Sequence, residues 1–142
     1  MVKLSGAVVP GSLSWPFKIL QEDKEMTVWS VAVVREQKGE GWTDCGVRFV
    51  MDKKDRALVG LAMSELLHAL DRRPVLDYLL RSPFHLAEVR RLYEILLDTQ
   101  LDRRNFRRQM LLAGFIVPEG EAYRFDGAAF EKWATNHQKK IF

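Results

Sequence analysis

Apolar and polar positions divide the chain into a strand-like first part and a helix-like remainder. Met26 to Val34 is β-branched and aromatic with partial alternation, and reads as a strand. Glu36 to Gly41 is polar with two glycines and reads as a turn, and Trp42 to Met51 reads as the returning strand. The pair is expected to form a β-hairpin, and two strands need a further surface to pack against. Ahead of it, Gly6, Pro10, Gly11, Ser12, Ser14 and Pro16 punctuate a segment expected to be a loosely structured arm. Trp15, Phe17, Ile19 and Leu20 would tack that arm onto a neighbouring surface.

From Asp52 the period becomes helical. Ala57, Leu58, Leu61, Ala62, Leu66, Ala69 and Leu70 recur at spacings near three and four, until Asp71-Arg72-Arg73-Pro74 stops the helix. Val75 to Leu80 is a short second helix broken by Ser82-Pro83. Leu86 to Leu97 is a third, with Leu86, Val89, Leu92, Tyr93 and Leu96 on one face. Thr99 or Asp102 caps a fourth that runs to Ala113, and Gly114 stands where a left-handed cap falls. Phe115-Ile116-Val117 and Tyr123-Arg124-Phe125 flank the tight turn Pro118 to Ala122, and Asp126 caps a last helix through Phe130 and Trp133. The expected fold is α+β. Residues 1–51 form an arm and hairpin segment; residues 52–142 form a connecting helix and a winged helix-turn-helix domain.

Helix, short turn, helix and hairpin is the order of a winged helix, and Asp98 to Leu101 has the length of the turn in a helix-turn-helix. In the helix after that turn, Phe106, Met110 and Ala113 share the core face. Arg104, Arg107 and Arg108 point roughly the other way, with Arg103 and Asn105 on the flanks. Arginine forks onto guanine or phosphate, and asparagine pairs with adenine. Arg103, Arg104, Asn105, Arg107 and Arg108 are therefore the candidate DNA contacts, Arg104 and Arg108 first. The bland alternative is a solvated face salt-bridged to acids such as Glu94 or Asp98. Phe106, Leu92, Tyr93, Met110 and Phe125 are read as holding the helix in place.

The stretch from about Pro74 to Asp126 resembles the C-terminal DNA-binding domain of the Nudix-related transcriptional regulators of NAD metabolism. The resemblance is carried by Pro83 to Val89, by Leu92-Tyr93-Glu94-Ile95-Leu96, by Leu101 to Leu111 with its Asn105-Phe106-Arg107-Arg108 core, and by Tyr123 to Asp126. It implies a winged domain that binds operator DNA, behind a Nudix domain that senses an ADP-ribose-type ligand. No Gly followed by Arg-Glu-x-x-Glu-Glu is present, and the segment before Asp52 is too short for that sensor, so ligand regulation is not carried over. The wing, Glu119-Gly120-Glu121, is acidic where phosphates call for Arg or Lys.

Composition changes this picture little. Over 142 residues, net charge is only +3, so local clustering has to carry any nucleic-acid argument. One cysteine, Cys45, excludes an intrachain disulfide. His68, His85 and His137 are scattered, so no metal or cofactor is expected. Asp44 and Asp52 form no acid–base pair, Gly39 and Gly41 no phosphate loop, and no catalytic constellation or leader is read. A cytoplasmic regulator is expected, with double-stranded DNA as partner and a homodimer as its form. The competing reading is a winged-helix interaction module that binds protein through its acidic wing and through Trp15, Trp29 and Trp42, which crowd the first third of the chain.

Overall fold

The computed structural model describes residues 13–22, 25–33, 53–80 and 82–136. In chain order these form β1 (Leu13–Glu22), β2 (Glu25–Val33), α1 (Lys53–Leu70), α2 (Val75–Leu79), α3 (Leu86–Leu97), α4 (Arg103–Ala113), β3 (Ile116–Glu119), β4 (Ala122–Phe125) and α5 (Gly127–Asn136). The chain divides into two compact units, residues 1–66 and 67–142.

In the first unit the segment expected to be a loose arm is a strand. β1 pairs antiparallel with β2 from Leu13 opposite Val33 to Glu22 opposite Glu25. Leu13, Trp15, Phe17 and Ile19 alternate with Ser14, Pro16 and Lys18, a period-two signal that prevails over the glycine and proline punctuation. Pro16 is accommodated because the register shifts between it and Lys18, a place where a missing N–H is tolerated. The hairpin is thus built upstream of the expected one. The turn at 36–41 and the returning strand at Trp42–Met51 lie outside the described residues. Along β2, Val28 and Ser30 are exposed while Val31 and Val33 face inward.

Trp15 is 3% exposed, and its indole N–H donates to Glu65 Oε1 of α1 at 3.2 Å. It fills interior, not the association surface that the competing reading drew on; the side chain of Trp29 and the whole of Trp42 are outside the described part. The apolar stripe of α1 is only partly covered: Leu58 is buried, whereas Ala57 and Leu61 are exposed.

The second unit is built around aromatic side chains. Leu70, Val75, Leu76, Phe84, Val89, Tyr93, Phe106, Met110, Phe115 and Ile116 are all buried. Phe115 stands at the centre of one cluster. Its ring centroid lies 5.1 Å from those of Phe130 and Trp133 in edge-on contacts, and 5.7 Å from that of Phe125. Tyr93 of α3 meets Phe106 of α4 edge to face at 5.8 Å, a geometry that places positive ring edge against negative ring face. Burial first, and the Asp71 carboxylate second, push the Tyr93 phenol above its ordinary range, so it stays protonated.

β3 and β4 pair from Ile116 opposite Phe125 to Glu119 opposite Ala122; Phe115 falls just before β3, and Pro118, Glu119 and Ala122, read as turn, belong to the strands. The turn is Gly120-Glu121, and Gly120 takes a φ of 61° that glycine adopts without steric cost. Phe84 adds a third edge: its N–H donates to Tyr123 O at 2.8 Å and its carbonyl accepts from Tyr123 N–H at 2.9 Å. Asp126 Oδ1 accepts from Ala129 N–H at 3.0 Å and caps α5.

Two substitutions test this account. Phe106→Ala should lose about 3–5 kcal/mol of unfolding free energy, measured from the urea midpoint, because it leaves a cavity against Tyr93; a loss under about 1 kcal/mol would mean that the ring is not a core element. Asp98 closes α3 with a φ of 49° in the left-handed region, where its charge also opposes the helix dipole. Asp98→Gly should therefore stabilise the protein by roughly 0.5–1 kcal/mol, and an unchanged or lower midpoint would count against that strain.

Candidate nucleic-acid interface

α4 is short of apolar residues, and its few buried ones decide its orientation. Phe106 is 2% exposed and Met110 is 0% exposed. At 100° per residue these two fix the inner face, and Arg104 and Arg108 fall opposite it. Arg103, Arg104, Asn105, Arg107 and Arg108 are all exposed, as their placement in the sequence suggested. Asp102, rather than Thr99, is the cap: its Oδ1 accepts from Asn105 N–H at 2.7 Å. Gly114 ends the helix with a φ of 80°.

Among the described residues, the salt bridges to Glu94 or Asp98 offered as the alternative are not formed. Glu94 is engaged by Arg90 of its own helix, Nε to Oε1 3.7 Å, and its Oε1 also accepts from Leu101 N–H at 3.0 Å. Among the described residues, no carboxylate pairs with an α4 guanidinium. Among the described residues, the side-chain contact on that face is internal, Arg108 Nη2 donating to Asn105 Oδ1 at 3.0 Å. Four positive side chains thus stand on a face with only the capping Asp102 carboxylate on the preceding turn.

The turn before α4 is held by groups that the periodicity of the sequence did not single out. Arg90 Nη1 donates to Leu101 O at 3.4 Å, so an α3 ion pair grips both the N–H and the carbonyl of Leu101. The main chain of Leu101 leads directly into Asp102, so this clamp sets where α4 begins. Thr99 N–H donates to Glu94 O at 3.2 Å and belongs to the end of α3. His85, expected at a helix start, is the cap position of α3: its main-chain N–H donates to Glu88 Oε2 at 2.7 Å. Leu92, expected to anchor the second helix, is only half-buried, while Tyr93 and Val89 are buried.

Further cationic surface lies on the wing. Glu119, Gly120 and Glu121 are exposed at its tip, and so is Arg124 on β4. Arg124 alternates with buried Phe125, a period-two signal that was present in the sequence and given no functional weight. Leu112 is 74% exposed one turn beyond Arg108, so the outer line of α4 ends in an apolar side chain. Among the described residues, no three His, Cys, Asp or Glu side chains gather as a metal site, and no helix is long and apolar enough to cross a membrane. Cys45 and His137 lie outside that part of the chain.

Comparison with known proteins agrees with this geometry. Residues 77–127 match the family model of the NrtR DNA-binding winged helix domain. No curated protein matches the chain. The family match begins within α2, takes in α3, the clamped turn, α4 and the β3–β4 wing, and ends at Gly127. It covers 51 of 142 residues, so it speaks for the winged helix and not for the β1–β2 unit. Over residues 77–127 the chain is thus similar to the NrtR DNA-binding winged helix family, and its fold there is a winged helix.

Proposed function

We propose that the chain is a DNA-binding transcriptional regulator that lays α4 in the major groove. The observation that carries this reading is the exposed arginine face: Arg103, Arg104, Arg107 and Arg108, with Asn105, on the second helix of a helix-turn-helix and without carboxylate partners among the described residues. In this motif the second helix contacts base edges with its N-terminal residues. Arg104 and Arg108, opposite the Phe106–Met110 anchor, are the contacts that reach deepest. Arg103 and Arg107 on the flanks contact phosphates and set register.

The acidic wing limits how this is done. Glu119 and Glu121 at the tip are repelled by a phosphate backbone, so the tip stays off the duplex, and Arg124 on the β4 strand is the cation this wing offers. A homodimer would place two such helices on one duplex about 34 Å apart, one helical turn. The interaction-module alternative is weakened by the burial of Trp15, which removes one of the three tryptophans on which it drew.

Fluorescence anisotropy of a random duplex, titrated at two salt concentrations, tests the reading. Wild type should bind with an affinity that falls steeply with salt, Arg104→Ala/Arg108→Ala should lose on the order of tenfold at low salt, and Arg103→Ala/Arg107→Ala should make the slope shallower by about 0.9 for each phosphate contact removed. No binding even at low salt would retire the proposal. Glu94→Ala serves as the contrast. It releases Leu101 without removing a positive charge, so affinity should fall while the slope of log affinity against log salt stays at the wild-type value. A slope that dropped with Glu94→Ala would show that the clamp is not what this residue contributes.

A further inference from the structure

The hydrogen bond between Arg108 and Asn105 decides what the outer face of α4 can recognise. A guanidinium carries N–H donors and no acceptor, so the amide atom turned toward Arg108 Nη2 at 3.0 Å is Asn105 Oδ1. The Nδ2 donors are then turned away from Arg108. While that bond stands, one of the two lone pairs of Oδ1 is spent on Arg108 and the amide plane is set by it, so Asn105 is no longer free to turn its acceptor-and-donor pair onto N6 and N7 of adenine. What the two side chains offer outward is mainly donors: the amide N–H groups of Asn105 and the guanidinium N–H groups not spent on it.

Base edges in the major groove differ in how they meet such a surface. Guanine presents two acceptors, N7 and O6, side by side. Adenine presents an acceptor beside a donor, cytosine a donor, and thymine an acceptor beside a methyl group. Resting on the DNA-binding reading of α4, we infer that Arg108 and Asn105 act as one guanine-reading unit. Arg108 makes the base contact and Asn105 is the positioning residue that holds its fork. This replaces the adenine contact that an asparagine considered alone would make.

Two features support the assignment. Arg108 lies about 200° around the helix from Phe106, at the outermost line of α4, and Asn105 is its neighbour one turn back. A side chain already tethered loses less rotamer freedom on binding, so the bond prepares Arg108 for a directional contact. The cap on Asp102 uses the main-chain N–H of Asn105 rather than its amide, so the side chain can be removed without uncapping the helix.

Selection of bound sites from a randomised duplex library, with the full chain at one fixed salt concentration, tests the inference. Wild type should enrich sites carrying guanine at one position, by about tenfold or more over the other bases. Arg108→Ala should abolish that preference. Asn105→Ala should cut it severalfold while leaving preferences at other positions unchanged. Asn105→Asp, which keeps an acceptor for Arg108, should restore the guanine preference even as added negative charge lowers overall affinity. Adenine at the position that relaxes in Asn105→Ala, or a guanine preference indifferent to that substitution, would overturn the inference and leave DNA binding standing. A wild-type chain that neither enriches any site nor binds random duplex at low salt would overturn the DNA-binding reading and this inference together.

Discussion

The contact between Tyr93 and Phe106 is the one on which the rest of the winged helix depends. α4 has Phe106 and Met110 as its buried side chains, while Leu111 and Leu112 at its end are exposed. Its orientation follows from keeping those two inward, Phe106 against Tyr93 of α3. Arg, Gln, Met, Leu and Ala give the helix good intrinsic propensity, and its charge pattern works against it. Arg103 with Arg107 and Arg104 with Arg108 are like-charge pairs four residues apart, each unfavourable by roughly 0.2–0.5 kcal/mol. Cap and core offset that cost: the Asp102 carboxylate satisfies a free N–H and complements the helix dipole, and the two buried side chains supply the packing. The charged face is therefore kept at a small local electrostatic cost, carried by the cap and the two buried side chains.

Orientation alone does not place a helix along its own axis, and the clamp on Leu101 supplies that second constraint. Arg90 and Glu94 lie one turn apart on α3 and reach opposite polar groups of the same peptide-bearing residue. Each contact alone is modest, because a half-exposed ion pair gains little in water. Joined to the left-handed turn at Asp98, they leave the chain between α3 and α4 few alternatives. The aromatic contact and the clamp thus divide the work, one fixing which side of α4 faces inward and the other where α4 starts.

This division also explains what was legible in the sequence. The helices α3 and α4, the Asp102 cap, the Gly114 stop and the core role of Phe106 and Met110 are local: they depend on spacings of one to four residues and stand plainly in the chain. The clamp joins residues seven and eleven apart through main-chain atoms of Leu101, which no side-chain pattern reveals. β1 was obscured for a different reason. Its alternation from Leu13 to Ile19 was present, but Pro16 in its middle argued for an arm, and only the register shift beside Lys18 shows how a strand absorbs that proline. Arg124 differs again: alternation with buried Phe125 puts it on the exposed side of β4, three residues past the acidic Glu121.

Charge on the winged helix is divided in a way that bears on docking under the proposed reading. Four exposed arginines stand on α4, Arg104 and Arg108 on its outer line, and two glutamates occupy the tip of the wing. A winged helix that held DNA by both elements would want positive charge on each. Here the duplex is drawn to one and pushed from the other, so the favoured approach turns α4 toward the groove and keeps Gly120 and its flanking glutamates off the backbone. Arg124 sits behind that tip, on the strand, where a phosphate can meet it only if the wing lies alongside the duplex rather than pointing into it. The repulsion at the tip and the attraction along α4 therefore act in the same sense: they reject orientations that non-specific attraction to a basic protein would otherwise allow, and leave α4 as the element through which sequence is read.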